Sequence, residues 1–228
     1  MKRSWHFLAI LAAISLVAAS PSRAQMMGMD MFKRPAIAKA FHPVVGKGAV
    51  YLDTDKDGKD IRTSEIAIVA KDSFEGKEGF WMQIYFVDSK GKPFVGKSLI
   101  TPGDFQFHRM IMQPPGQQAM EMPAHMNAAR KDRIEENLND WHSVGTESVT
   151  VPAGTFSCEH WRNDKTHGEA WTSDKVTPFG MVKEISGNGS TQVLSKILDN
   201  AADRITGPVK QFDMQEMMQQ MQQQRQHP

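Results

Sequence analysis

Methionine and histidine are the residues of this chain whose types and spacing could do chemistry. Of the sixteen methionines, Met110 and Met112 alternate with His108, and Met120, Met122, His125 and Met126 crowd the stretch that follows. Thioether and imidazole donors suit Cu(I), so His108, Met110, Met112, Met120, Met122, His125 and Met126 form a candidate copper set. Same-face neighbours on a strand stand about 7 Å apart, and the side chains would have to converge before three could share one ion. The same residues admit an apolar reading, because methionine is flexible, polarizable and suited to grooves that accept varied shapes. Groove lining is the leading reading and copper is the alternative.

Two other sets are weaker. Asp53, Asp55 and Asp57 followed by Gly58 have the opening spacing of a calcium loop. The twelfth position of that loop is a bidentate Glu, whereas here it is Ser64 and Glu65 comes one place late. The flanks, Ala49 to Leu52 and Ile66 to Ala70, read as strands, which favours a polar hairpin tip with Asp-Gly in the turn. Cys158 is the single cysteine. It has no partner for an internal disulfide, and its alternation with Phe156 and His160 fits one face of a strand, with the thiol packed.

Nothing points to hydrolysis. The sequence has no Gly-x-Ser-x-Gly elbow and no His-Glu-x-x-His pair. The neighbours His142-Ser143 and Glu159-His160 would point to opposite faces of a strand. A Gly-rich phosphate loop is also missing. The chain is therefore expected to be no enzyme and, on the leading reading, to carry no cofactor.

The start of the chain reads as an export signal. Lys2 and Arg3 form a basic n-region, Phe7 to Ala19 is free of charge, and Ser22-Arg23-Ala24 offers small residues where signal peptidase cleaves. The apolar run is too short to span a bilayer, and no cysteine near it could carry a lipoprotein anchor. Cleavage after Ala24 removes 24 of 228 residues and leaves 204. Three of the 27 basic residues and none of the 26 acidic ones go with the signal, so the mature net charge is about −2. That balance excludes a generally basic nucleic-acid binder and supplies no polybasic patch for an anionic membrane. The expected location is periplasmic or secreted.

The elements that must position these residues are mostly strands. Residues 25–41 read as a Met-rich arm without period. Segments 48–53, 64–71, 79–87, 95–101 and 105–112 are short, rich in β-branched or aromatic residues and bounded by turn residues, which predicts an antiparallel meander. Segment 79–87 is apolar on both faces, with Phe80, Met82, Ile84 and Phe86 on one and Trp81, Tyr85 and Val87 on the other. Each side must therefore be covered. In 125–141, Ile134, Leu138 and Trp141 recur at helical spacing, which predicts an amphipathic helix able to cover a sheet. Strands are expected again at 144–151, 155–162, 168–173, 180–186 and 190–198, with turns at Pro152-Ala153-Gly154 and Asn188-Gly189. One β domain over 42–207, with a helical insertion at about 125–141 and a Gln/Met-rich tail over 208–228, is the expected organisation.

Several runs carry a resemblance. They are Gly46-Lys47-Gly48-Ala49-Val50-Tyr51, Arg109-Met110-Ile111-Met112-Gln113-Pro114-Pro115-Gly116, and the stretch Gly145 to Phe156 with its Val151-Pro152-Ala153-Gly154-Thr155-Phe156. With Glu169-Ala170-Trp171 and Pro178 to Lys183, they resemble an uncharacterised family of secreted bacterial β-proteins. That family is similar in turn to the periplasmic lipoprotein carriers and their outer-membrane receptors of the Lol type. The resemblance implies a mainly β fold. Its single, strongly curved antiparallel sheet would form a half-barrel with one or a few covering helices and an apolar concavity for acyl chains.

The expected function is thus non-catalytic binding of an apolar or amphipathic ligand, a lipid or a lipoprotein acyl chain, with an envelope protein as the other partner class. The expected lining is Phe80, Trp81, Met82, Ile84, Tyr85, Phe86, Phe105, Phe107, Met110 and Met112, with the loop 114–126 as a lid.

Overall fold

The computed structural model describes residues 41–87, 91–102, 107–122 and 140–213. Among them twelve strands form one sheet. They are β1 Gly48–Thr54, β2 Asp60–Phe74, β3 Lys77–Val87, β4 Pro93–Ile100, β5 Phe107–Gln113 and β6 Met120–Glu121 in the first half. The second half holds β7 Trp141–Val151, β8 Gly154–Asn163, β9 Glu169–Thr172, β10 Met181–Ile185, β11 Thr191–Leu198 and β12 Lys210–Gln211. Across the sheet the order is β12-β6-β5-β4-β3-β2-β1-β11-β10-β9-β8-β7. Every neighbouring pair is antiparallel except β12 on β6, which is parallel. The sheet is open, because the edge strands β7 and β12 do not pair with each other. No helix occurs among the described residues.

Local chemistry sets the hairpins. Between β1 and β2, Asp55 Oδ1 accepts the amides of Asp57 and Lys59 at 3.0 and 2.9 Å. Gly58 takes φ +77°, so Asp-Gly closes the turn. Between β10 and β11 the Ser190 amide bonds Asn188 Oδ1 at 3.0 Å, and Gly189 takes φ +84°.

Both faces of β3 are covered, by different means. Phe80 and Met82 point to the inner face, where Ile68 of β2 pairs with Met82 and Ile66 stands one same-face pair further along. Ala49 and Tyr51 of β1 and Leu194 of β11 follow on the same face. All belong to one core cluster with Trp161, Ala170, Phe179 and Val182. Tyr51 is fully buried there. Its hydroxyl donates to the Met181 carbonyl at 3.2 Å, and burial lifts its pKa far above the ordinary phenol value. The turn between β7 and β8 meets β11, where the Ala153 amide donates to the Leu194 carbonyl at 3.3 Å.

The outer face of β3 is closed by the chain after β11. Trp81, Leu99, Val95, Ile111 and Ala119 form a second cluster with Ile205. Residues 199–209 reach it as a strap held by polar ties. Gln83 Nε2 donates to the Ala202 carbonyl at 3.2 Å, and Gln83 Oε1 accepts the Arg204 amide at 2.8 Å. Lys97 pairs with Asp203, and Arg204 pairs with Glu65 at 2.7 Å.

Three boundaries differ from expectation. Trp141 opens β7 opposite Asn163 instead of ending a helix, because pairing with β8 takes up its backbone; residues 123–139, where the rest of that helix was expected, lie outside the described residues. Beyond Pro208 the chain continues as β12, and the amides of its Lys210 and of Phe212 just after it donate to the carbonyls of Ala119 and Glu121 at 3.0 and 2.9 Å. The stretch 114–122, expected to be part of a lid, is the β5–β6 hairpin. Gln117 closes on Pro114 at 3.1 Å, and Gly116 at φ +70° turns the chain.

Candidate functional site

Register alone defines an apolar row along the inner face. Ile66 of β2 lies opposite Ile84 of β3, Ile84 opposite Gly96 of β4, Gly96 opposite Met112 of β5, and Met112 opposite Met120 of β6. Directly opposed residues project to the same face of a sheet, so the row is continuous. Ile66 is fully buried, whereas Ile84, Gly96, Met112 and Met120 are half-buried. A second row runs Ile68, Met82, Ser98, Met110. Phe86 and Phe94 stack with ring centroids 4.8 Å apart at the β3–β4 end. A Cβ on Gly96 would stand 3.3 Å from Phe94 Cε1, so glycine leaves that ring its room.

The ten expected lining residues divide between the faces. Phe80, Met82, Ile84, Phe86, Phe107, Met110 and Met112 share the inner face. Phe80 and Met82 are closed core, and Ile84 and Phe107 pack half-buried against it. Trp81 and Tyr85 point outward, away from the other seven. Trp81 donates from Nε1 to Asp72 Oδ2 at 3.0 Å, and the cations of Lys97 and Arg109 lie 5.1 and 5.2 Å from its ring centroid. Tyr85 carries the Arg204 guanidinium 3.9 Å above its ring. Phe105 lies outside the described residues.

The copper set is also divided. Register puts Met112 beside Met120, and the Met122 amide donates to the Met110 carbonyl at 2.8 Å, which places that pair alongside. His108 does not join them. A register shift between Leu99 and Ile100 turns it onto Phe74, with ring centroids 4.1 Å apart, and its Nε2 meets Thr101 Oγ1 at 2.7 Å. Phe74 packs against the outer cluster. His125 and Met126 lie outside the described residues.

The aspartate triplet has structural work. Asp53 is buried and accepts Arg62 Nε and Gln192 Nε2, each at 2.7 Å, while Asp55 caps the turn. Cys158 is a free, fully buried thiol whose pKa is pushed up to about 11 by burial and by the nearby Glu147 carboxylate.

Sequence reasoning missed one polar cluster on β7–β10. His160 Nδ1 lies 3.0 Å from Glu147 Oε1, Trp171 Nε1 donates to the same oxygen at 2.5 Å, and His160 stacks on Trp171 at 4.4 Å. Lys183 sits 4.9 Å over the Trp171 ring. The cross-strand partner Trp171 of His160 was the signal, and it needed the register of β8 on β9 to be seen.

No protein-family model and no curated protein sequence matches the chain. Among solved structures, it is similar to a chain of Bacteroides fragilis described as an exported protein with a YmcC-like fold. The identity is 17% over 69% of this chain and 97% of that one, with a TM-score of 0.40. A chain of Parabacteroides distasonis described as a lipoprotein aligns at 15% identity over the same shares, with a TM-score of 0.38. MucB aligns at 10% identity over 81% of this chain and 62% of its own length, with a TM-score of 0.31.

Proposed function

We propose that this chain is an exported, non-catalytic protein of the cell envelope that holds an apolar or amphipathic ligand, a lipid or a lipoprotein acyl chain, against the inner face of β3–β6. The observation that carries the reading is the row Ile66, Ile84, Gly96, Met112, Met120, which passes from fully buried to half-exposed without meeting a polar side chain. An apolar stretch that continues half-exposed beyond a closed core suits an apolar ligand. Export rests on the signal pattern of residues 2–24.

One hydrogen bond in the β7–β11 half supports a bent sheet, and with it a concavity. The Ala153–Leu194 hydrogen bond joins the β7–β8 turn to a strand three places away in the sheet order. In a flat sheet that separation is about 14 Å, so the bond is what a rolled sheet gives. Each buried methylene of an acyl chain contributes about 0.8 kcal/mol, so binding needs no polar motif.

A fluorescent fatty acid titrated into the mature protein tests the reading. Met112→Glu should weaken uptake at least tenfold, while Val144→Glu on exposed β7 should leave it unchanged. Equal uptake by the wild type and Met112→Glu, or no uptake at all, would remove the proposal.

A further inference from the structure

The β5–β6 hairpin places four methionines side by side on one face of the sheet, next to the edge strand β12. Met112 pairs directly with Met120, and the Met122-to-Met110 hydrogen bond extends the same register by two residues. The four Cα atoms are therefore corners of a patch about 5.5 Å across the strands and about 7 Å along them. Methionine has three rotatable side-chain bonds, enough for sulfurs above such a patch to turn toward a common centre. All four residues are half-buried, so an ion held between them sits at the rim of the core, where its charge stays partly solvated. Glu121 alternates with them and points to the other face, where it binds Arg109 Nε at 2.6 Å, so no carboxylate from this hairpin enters the set.

We infer that Met110, Met112, Met120 and Met122 form a Cu(I) site. Neutral thioethers are soft donors, matched to Cu(I) and Ag(I) and poor for Zn(II), Ca(II) or Mg(II). They also carry no proton to lose or gain near neutral pH, unlike imidazole or thiol ligands. A site of this composition holds its ion at a pH where a histidine site releases it. This site stands independently of the acyl-ligand reading, because it needs the sulfur atoms and not merely an apolar surface.

The test uses the full mature chain under anaerobic conditions, with Cu(I) supplied as its complex with a chromogenic bicinchoninate chelator. The wild type should withdraw one equivalent, with equal affinity at pH 5.5 and pH 7.5 once the chelator's own titration is corrected. X-ray absorption should show sulfur donors alone. Replacing the four methionines together by Leu conserves volume and apolarity. It should cost at least a hundredfold in Cu(I) affinity while thermal stability stays near wild type. His108→Ala should leave the Cu(I) affinity unchanged.

Four results would each overturn the inference. They are no withdrawal by the wild type, retention of copper by the Leu variant, loss of affinity at pH 5.5, or loss of binding when Met214, Met217, Met218 and Met221 of the tail are changed instead. Failure of fatty-acid uptake with copper binding intact would count against the acyl-ligand reading alone.

Discussion

Gln83 and Arg204, far apart in sequence, are joined by a hydrogen bond from the Arg204 amide to Gln83 Oε1 at 2.8 Å. The other end of the same side chain donates to the Ala202 carbonyl. One buried amide thereby fixes both polarities of the strap backbone on the outer face of β3. Gln83→Leu leaves those two backbone groups without their partner and should cost about 1–3 kcal/mol in chemical denaturation. Hydrogen exchange should also speed up selectively over 199–209. An unchanged midpoint with unchanged exchange would contradict this role of the strap.

Gly187 is a second sensitive point. A Cβ there would lie 1.9 Å from the Thr166 carbonyl oxygen, so the 186–190 turn and the 163–168 loop cannot both keep their places. Gly187→Ala should destabilise by more than about 1 kcal/mol, whereas Gly207→Ala, with open space around it, should be nearly neutral. Comparable denaturation midpoints for the two variants would refute the close approach.

Cys158 should be silent in the native state. Its thiol is fully buried and its pKa sits near 11, so little thiolate exists at pH 8. A chromogenic disulfide reagent should react slowly with the folded protein and fast in denaturant. Rapid stoichiometric labelling without denaturant would show the thiol to be accessible.

Acid should loosen the β5–β6 arm. The Arg109 hydrogen bond, with Arg109's charge, holds the Glu121 carboxyl below its ordinary value of 4.5. A depressed folded pKa gives stability that is present above the unfolded value and is lost as pH falls through the folded one. Melting temperature should therefore fall as pH drops below about 4.5, and Glu121→Gln should shallow that slope while lowering stability at neutral pH. Equal slopes in the two proteins would exclude the pair as a contributor.

Much of the sheet was legible because β-structure writes itself into a two-residue period. Ten of the twelve strands fall on segments marked by that period, and Asp-Gly, Pro-Ala-Gly and Asn-Gly turns join the hairpins β1–β2, β7–β8 and β10–β11. β6 and β12 escaped because each spans two residues, and β12 pairs with β6 through backbone groups without a side-chain pattern. Phe80, Met82, Trp81 and Tyr85 all read as cavity lining, whereas the first two lie in the closed core and the other two on the opposite face. The cover of Trp81 and Tyr85, Ile205 and Arg204, lies in a segment without periodicity. A glutamine in the middle of an apolar strand was the one local sign of the strap, since a buried amide needs partners that Gln83 could find only from another part of the chain. The methionine pairing was hidden for a different reason. Alternation alone joined His108 to Met110 and Met112, and only the register shift at Leu99 separates them.

The most direct test of the acyl-ligand account is native mass spectrometry of the mature protein purified gently from a bacterial envelope. The account predicts a population carrying an added lipid mass, which a Met112→Glu variant prepared the same way lacks. A clean apo mass for the wild type, with no adduct after incubation with phospholipid or fatty acid, would contradict it.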